Sequence, residues 1–162
     1  MLENALSLIS QGKFEHAIEI FKSILKKNPE NFKAKEEFIA CLFKYGTKLD
    51  DDWVPDFDKI ANCYEELILL DQKNSVAWYN LGIAYFNQKK FNKAIDCYNK
   101  SLKIQPDNKY VLYNLGLLYQ EMEDYDSSLK YYKMTLKIDP EFRYALDGKK
   151  EVKKILKQIT NN

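Results

Sequence analysis

The chain has 162 residues, 46% of them apolar, and its 25 Lys+Arg nearly cancel its 24 Asp+Glu. That length supports one domain with a sizeable buried core, and the charge balance speaks against nucleic acid, which rewards a net basic surface. Five Gly and four Pro are too few for a many-turned β-protein or a disordered chain, and no apolar run approaches the length that spans a membrane. Met1 to Lys13 lack the basic start and apolar core of an export signal. Cys41, Cys63 and Cys97 cannot all pair within one chain. Free thiols without an export signal fit a reducing cytoplasm.

Apolar residues recur at helical spacing from end to end. The first pair of helices is expected at roughly 1–14 and 14–27, carrying Gly12, Phe14, Ala17 and Phe21 before Pro29. The second pair falls at about 31–45 and 56–71. Between them, Thr47 to Pro55 reads as a nine-residue surplus in a loop. The third pair, 75–88 and 91–104, has Trp78, Leu81, Gly82 and Tyr85 on one face, then Ala94 and Tyr98, and ends before Pro106. The fourth, 109–122 and 125–138, has Leu112, Leu115, Gly116 and Tyr119, then Ser128 and Tyr132, and ends before Pro140. A last helix over 142–159 has Leu146, Val152, Ile155, Leu156 and Ile159 on one side and lysines elsewhere, the pattern of a cap whose outer face meets water.

The third and fourth pairs superimpose at a constant offset of 34 residues: Tyr79 on Tyr113, Tyr85 on Tyr119, Phe91 on Tyr125, Tyr98 on Tyr132 and Pro106 on Pro140. The pattern W-x2-L-G-x2-Y, then Ala, an aromatic and Pro, resembles the tetratricopeptide repeat. Trp78, Leu81, Gly82, Tyr85, Ala94, Tyr98 and Pro106 carry the resemblance. The expected fold is an all-α solenoid of four such hairpins plus a capping helix. It forms one domain over 1–162, with repeats at about 1–31, 32–74 (surplus at 47–55), 75–108 and 109–142, and the cap at 142–159. Two features depart from the pattern. Ser128 replaces Ala, and the inter-helix turns hold Lys89 and Glu123 where the family often has Gly. If those two residues are left-handed, each turn costs about 1 kcal/mol. Gly82 and Gly116 inside helices are expected to permit close helix approach, which offsets the cost of helical glycine.

No chemistry-bearing constellation accompanies this pattern. The lone His16 sits beside Glu15 and Glu19 and reads as a solvated surface residue. No Ser or Cys has an evident histidine partner, and no Cys-x2-Cys or His-x3-His spacing points to a metal. Cys63 and Cys97 occupy one slot in successive repeats, so repetition alone explains them. Asp50-Asp51-Asp52 is a solvated acidic run without EF-hand spacing. The expectation is therefore no catalysis, no cofactor and no metal.

The first helices of the third and fourth repeats are apolar on a second face. Val76, Tyr79, Asn80, Ile83 and Asn87 recur at i, i+3, i+4, i+7 and i+11, matched by Tyr110, Tyr113, Asn114, Leu117 and Glu121. Such a face either packs on the neighbouring first helix or is offered to a ligand. The resemblance implies that first helices line a concave groove, and that Asn80 and Asn114 grip a peptide backbone as the asparagine ladder of superhelical members does. It also allows a test against members that clamp chaperone C-termini with Lys, Asn and Arg. The corresponding slots here hold Leu2, Leu6, Glu37, Val76 and Asn80, or, one repeat later, Glu36, Ala40, Asn80, Tyr110 and Asn114. Both registers lack the cations, so that clamp is not expected. Trp53, in the acidic insertion, either folds over its own helix pair or stands exposed as a binding anchor. The expected role is an adaptor or scaffold that holds a protein or peptide partner in the groove. The alternatives are a self-assembling solenoid or a non-catalytic targeting module for an enzyme.

Overall fold

The computed structural model describes residues 1–161. Nine α-helices succeed one another there: α1 (Leu2–Ser10), α2 (Phe14–Lys27), α3 (Phe32–Asp50), α4 (Phe57–Leu70), α5 (Ser75–Asn87), α6 (Phe91–Ile104), α7 (Lys109–Glu121), α8 (Tyr125–Ile138) and α9 (Arg143–Thr160). The first helix stops at Ser10, short of the expected 14, because Gly12 takes a left-handed conformation (φ 74°). The chain divides into two compact units, Met1–Ala77 and the residues from Trp78 onward. Helix starts follow side-chain chemistry. Asn31, Asn74 and Asn108 each accept a backbone N–H three residues on, at 3.0, 3.0 and 3.3 Å, as do Asp56 and Asp124 for the second helices of their pairs.

Three of the four turns inside helix pairs share one backbone. Gly12, Lys89 and Glu123 are all left-handed, with φ of 74°, 60° and 60°. The N–H of the following residue reaches back five positions, from Lys13 to Leu8, Lys90 to Tyr85 and Asp124 to Tyr119, each at 2.9 Å. Only the first turn uses the residue without a Cβ penalty. Glu123→Gly should therefore raise stability by about 1 kcal/mol, read as a higher urea midpoint at unchanged slope. Lys89→Gly should gain less, because Lys89 also lies 5.9 and 5.8 Å from the Phe86 and Phe91 rings.

Within the third and fourth pairs the packing is a glycine laid against a tyrosine ring. A Cβ on Gly82 would come within 2.4 Å of Tyr98, and one on Gly116 within 2.6 Å of Tyr132. Gly148 of α9 lies equally close to the far side of the Tyr132 ring, at 2.6 Å. Ser128, in the slot Ala94 fills one repeat earlier, is fully buried and donates its hydroxyl to the Gly116 carbonyl at 2.8 Å, which satisfies the one polar group the substitution adds.

The nine surplus residues of the second pair are not all loop. Helix α3 runs 19 residues against 13 in α5 and α7, and its turn runs from 51 to 56, six residues, against three elsewhere. The expected loop over Thr47–Pro55 is thus corrected. Thr47 to Asp50 continue the helix, and Leu49 is buried. Counted from the caps Asn31 and Asn74, Gly82 corresponds to Ile39, and Gly46 lies seven residues further on. Seven residues turn a helix back to within roughly 20° of the same face, so Gly46 can do for Tyr64 (2.9 Å) what Gly82 does for Tyr98. Beyond α3, Asp51 to Val54 are exposed, and Trp53 is 100% accessible rather than folded over its helix pair.

Candidate functional site

The second face of α5 and α7 is the candidate ligand face. On α7, Tyr110 and Glu121 are exposed, and Tyr113, Asn114 and Leu117 are half-buried. On α5, Tyr79, Asn80 and Ile83 are half-buried, and Val76 and Asn87 are exposed. Several of these groups already have internal work. The Asn114 amide donates to the Tyr79 hydroxyl at 3.3 Å. It also hydrogen-bonds the Tyr98 phenol, whose pKa burial drives upward. The Asn87 amide donates to the Ile83 carbonyl of its own helix at 2.9 Å, and Glu121 pairs with Lys89 at 3.5 Å. Leu117 and Tyr113 pack against the buried cluster Tyr132, Ala145 and Val152, so α9 covers part of the face.

What remains open is aromatic. Tyr113 lies 5.4 Å from Phe142 and 6.0 Å from Tyr144, Tyr110 lies 5.8 Å from Phe142, and Phe142 lies 5.7 Å from Tyr144, centroid to centroid. Tyr110 and Tyr144 are 52% and 67% exposed, so the cluster is a surface rather than a core. The Lys109 ammonium stands 5.2 Å from both the Tyr110 and Phe142 rings and is held by Asp139 at 2.7 Å. That hydrogen bond raises the Lys109 pKa and lowers that of Asp139. Sequence reading missed Phe142 and Tyr144, which it assigned to a cap. The available signal was the period itself, since Tyr144 stands 34 residues after Tyr110.

Other places offer less. In the N-terminal unit a cleft of about 180 Å³ is lined by Glu15, Lys22, Tyr45, Lys59 and Glu66 among others. Its charges pair internally: Lys22 with Glu66 at 3.0 Å, Lys59 with Glu15 at 3.7 Å, and the Tyr45 hydroxyl donating to Glu15 at 2.7 Å. That phenol holds the Glu15 pKa down. Cys41, Cys63 and Cys97 are free and buried, and burial pushes the first two thiols up to about 11 and about 12. Among the described residues no three His, Cys, Asp or Glu gather as metal ligands, and no helix is long and apolar enough to cross a membrane.

The sequence profile of the tetratricopeptide repeat matches residues 75–108 and 110–142, the two hairpins built around Gly82 and Gly116. Residues 75–142 are two tetratricopeptide repeats. Solved structures carry the same fold. The first tetratricopeptide domain of Spaghetti (RPAP3), bound to the HSP90 peptide SRMEEVD, is 21% identical with a TM-score of 0.69, over 74% of this chain and 94% of that one. A MamA protein is 26% identical with a TM-score of 0.66, over 94% of this chain and 84% of that one. A tetratricopeptide-repeat protein of Parabacteroides merdae ATCC 43184 is 22% identical with a TM-score of 0.73, over 97% of this chain and 59% of that one. No curated protein matches the chain.

Asn114 is therefore not a free surface group. Removing the Asn114 amide takes away its hydrogen bond to the Tyr79 hydroxyl and its contact with the buried Tyr98 phenol. Asn114→Ala should cost about 1–3 kcal/mol of stability, contrary to the expectation that it acts on a ligand alone. A thermal or urea midpoint equal to that of the parent would contradict this.

Proposed function

We propose that the chain is a non-catalytic protein-interaction module, and that the face of α5, α7 and the start of α9 takes an uncharged, apolar segment of a partner protein. The observation that carries this reading is the contiguous aromatic surface of Tyr110, Tyr113, Phe142 and Tyr144, with two rings more than half exposed. Tyrosine supplies large, rigid contact area with a polar tip, and such rings are where interface energy concentrates. Tyr79, Asn80 and Ile83 extend the surface along α5, with Val76 and Asn87 at its ends and Leu117 and Glu121 closing it on α7. The buried free thiols fit a reducing compartment such as the cytoplasm.

A tetratricopeptide structure of similar fold binds the peptide SRMEEVD. Its acidic end asks for cations. Here the corresponding slots hold Val76, Tyr110, Asn80 and Asn114, and the nearby Lys109 is committed to Asp139. We therefore place this chain outside the chaperone-clamping type. Two measurements test the reading. Calorimetric titration with SRMEEVD should show binding no tighter than about 1 mM, and micromolar binding would sink the exclusion. Partner retained by the immobilised chain should fall at least tenfold with Tyr110→Ser plus Tyr144→Ser, two exposed changes that leave the core alone. Undiminished retention would move the site elsewhere.

A further inference from the structure

We propose that α9 carries a second docking surface, independent of the aromatic groove, whose occupant is the acidic 51–54 segment of another copy of this chain. At 3.6 residues per turn, Leu146, Lys149, Lys150, Lys153 and Lys157 fall within about 100° of the helix circumference, away from the buried line of Ala145, Gly148 and Val152. The acidic residues of α9, Asp147 and Glu151, lie outside that arc. They are engaged by Arg143 at 3.1 Å and by the Gln120 amide at 3.2 Å. Among the described residues none of the four lysines in the arc pairs with a carboxylate. The lysines rim a shallow depression to which Leu146 and Leu156 contribute, and Leu146 is 41% exposed. The surface is thus an apolar strip framed by uncompensated ammonium groups.

The chain holds one segment of matching chemistry. Asp51 and Asp52 are exposed, Trp53 is fully accessible and Val54 is 78% accessible. An indole fits between lysine stems, where it gains both apolar contact and the attraction of an ammonium for its face, and the two carboxylates meet the surrounding cations. The match is between two different surfaces, so the contact is heterologous. A joined pair keeps one free loop and one free helix face and can recruit a further copy at either end.

Sedimentation of the whole chain tests this. At low ionic strength the mean mass should climb with protein concentration. In 1 M salt, where screening acts within about 3 Å, it should fall to the monomer. A loop variant (Asp51→Asn, Asp52→Asn, Trp53→Ser) and a helix variant (Lys150→Glu, Lys153→Glu) should each associate at least tenfold more weakly than the parent. Mixed in equal amounts they should form dimers that grow no further, because each retains the half the other lost. Recovery in the mixture also shows that both variants are folded. A parent chain that stays monomeric at low salt overturns the proposal. So does association that resists salt, or a mixture that remains monomeric.

Discussion

Tyr132→Ala should cost about 3–5 kcal/mol of stability, the scale of deleting a large buried ring. Tyr132 is fully buried between α7 and α9, with Gly116 on one side and Gly148 on the other, and both glycines are so close that neither tolerates a Cβ. Its hydroxyl donates to Gln120 at 2.8 Å, and Tyr113 leans on it at 6.0 Å. The vacated space is walled by helices held elsewhere, so no single shift closes it. Gly116→Leu attacks the same contact from the opposite direction and should cost about 1–3 kcal/mol by overpacking. The two changes share a volume, so the double variant should lose less than the sum of the singles. Urea unfolding of the four proteins decides the matter. A Tyr132→Ala midpoint near that of the parent, or strict additivity in the double, would show that the ring is not the wedge between these helices.

Deleting Thr47 to Pro55 should cost about 2–5 kcal/mol, or unfold the N-terminal unit outright. The loss includes Leu49, an 8% exposed leucine whose truncation alone is on that scale. It also removes the last turn of α3 beyond Gly46, which lies against Tyr64. Deleting only Asp52 to Val54 leaves a three-residue turn, the length found in the other pairs. It removes exposed residues alone and should change stability by less than about 0.5 kcal/mol. Circular dichroism melts of the two deletions should separate widely. Equal melts would mean that the helical extension adds nothing to the core.

The repeat made most of the architecture legible. A period of 34 marks every slot twice, so the packing glycines, the prolines past the second helices and the turn positions of Lys89 and Glu123 could all be named before any coordinate, while the ring that each glycine meets could not. The insertion was legible as a count and not as a shape. Gly46 looks like a helix stop, yet its missing side chain serves packing, and moving the packing glycine seven residues along preserves the apolar face and so leaves no break in the pattern. On the candidate site, Tyr110 and Tyr113 stood out as apolar residues off the packing stripe. The engagement of Asn114 did not, because its acceptor, Tyr79, lies 35 positions away and pairings at that range leave no local trace. Phe142 and Tyr144 were hidden by the assumption that a last helix only shields.

The three thiols give the molecule built-in reporters of its own breathing. Cys41 and Cys63 sit in the N-terminal unit and Cys97 in the other, all nearly sealed from solvent. The first two are held protonated by burial, at about 11 and about 12. An alkylating reagent consumes only thiolate that it can reach, so each site should react only during an opening of the helices around it. The protein carries no other sulfhydryl. A timed pulse of reagent followed by peptide mass analysis therefore clocks the two units separately in one untouched sample. The ratio of those clocks gives the difference between their opening free energies, with no substitution, dye or denaturant needed.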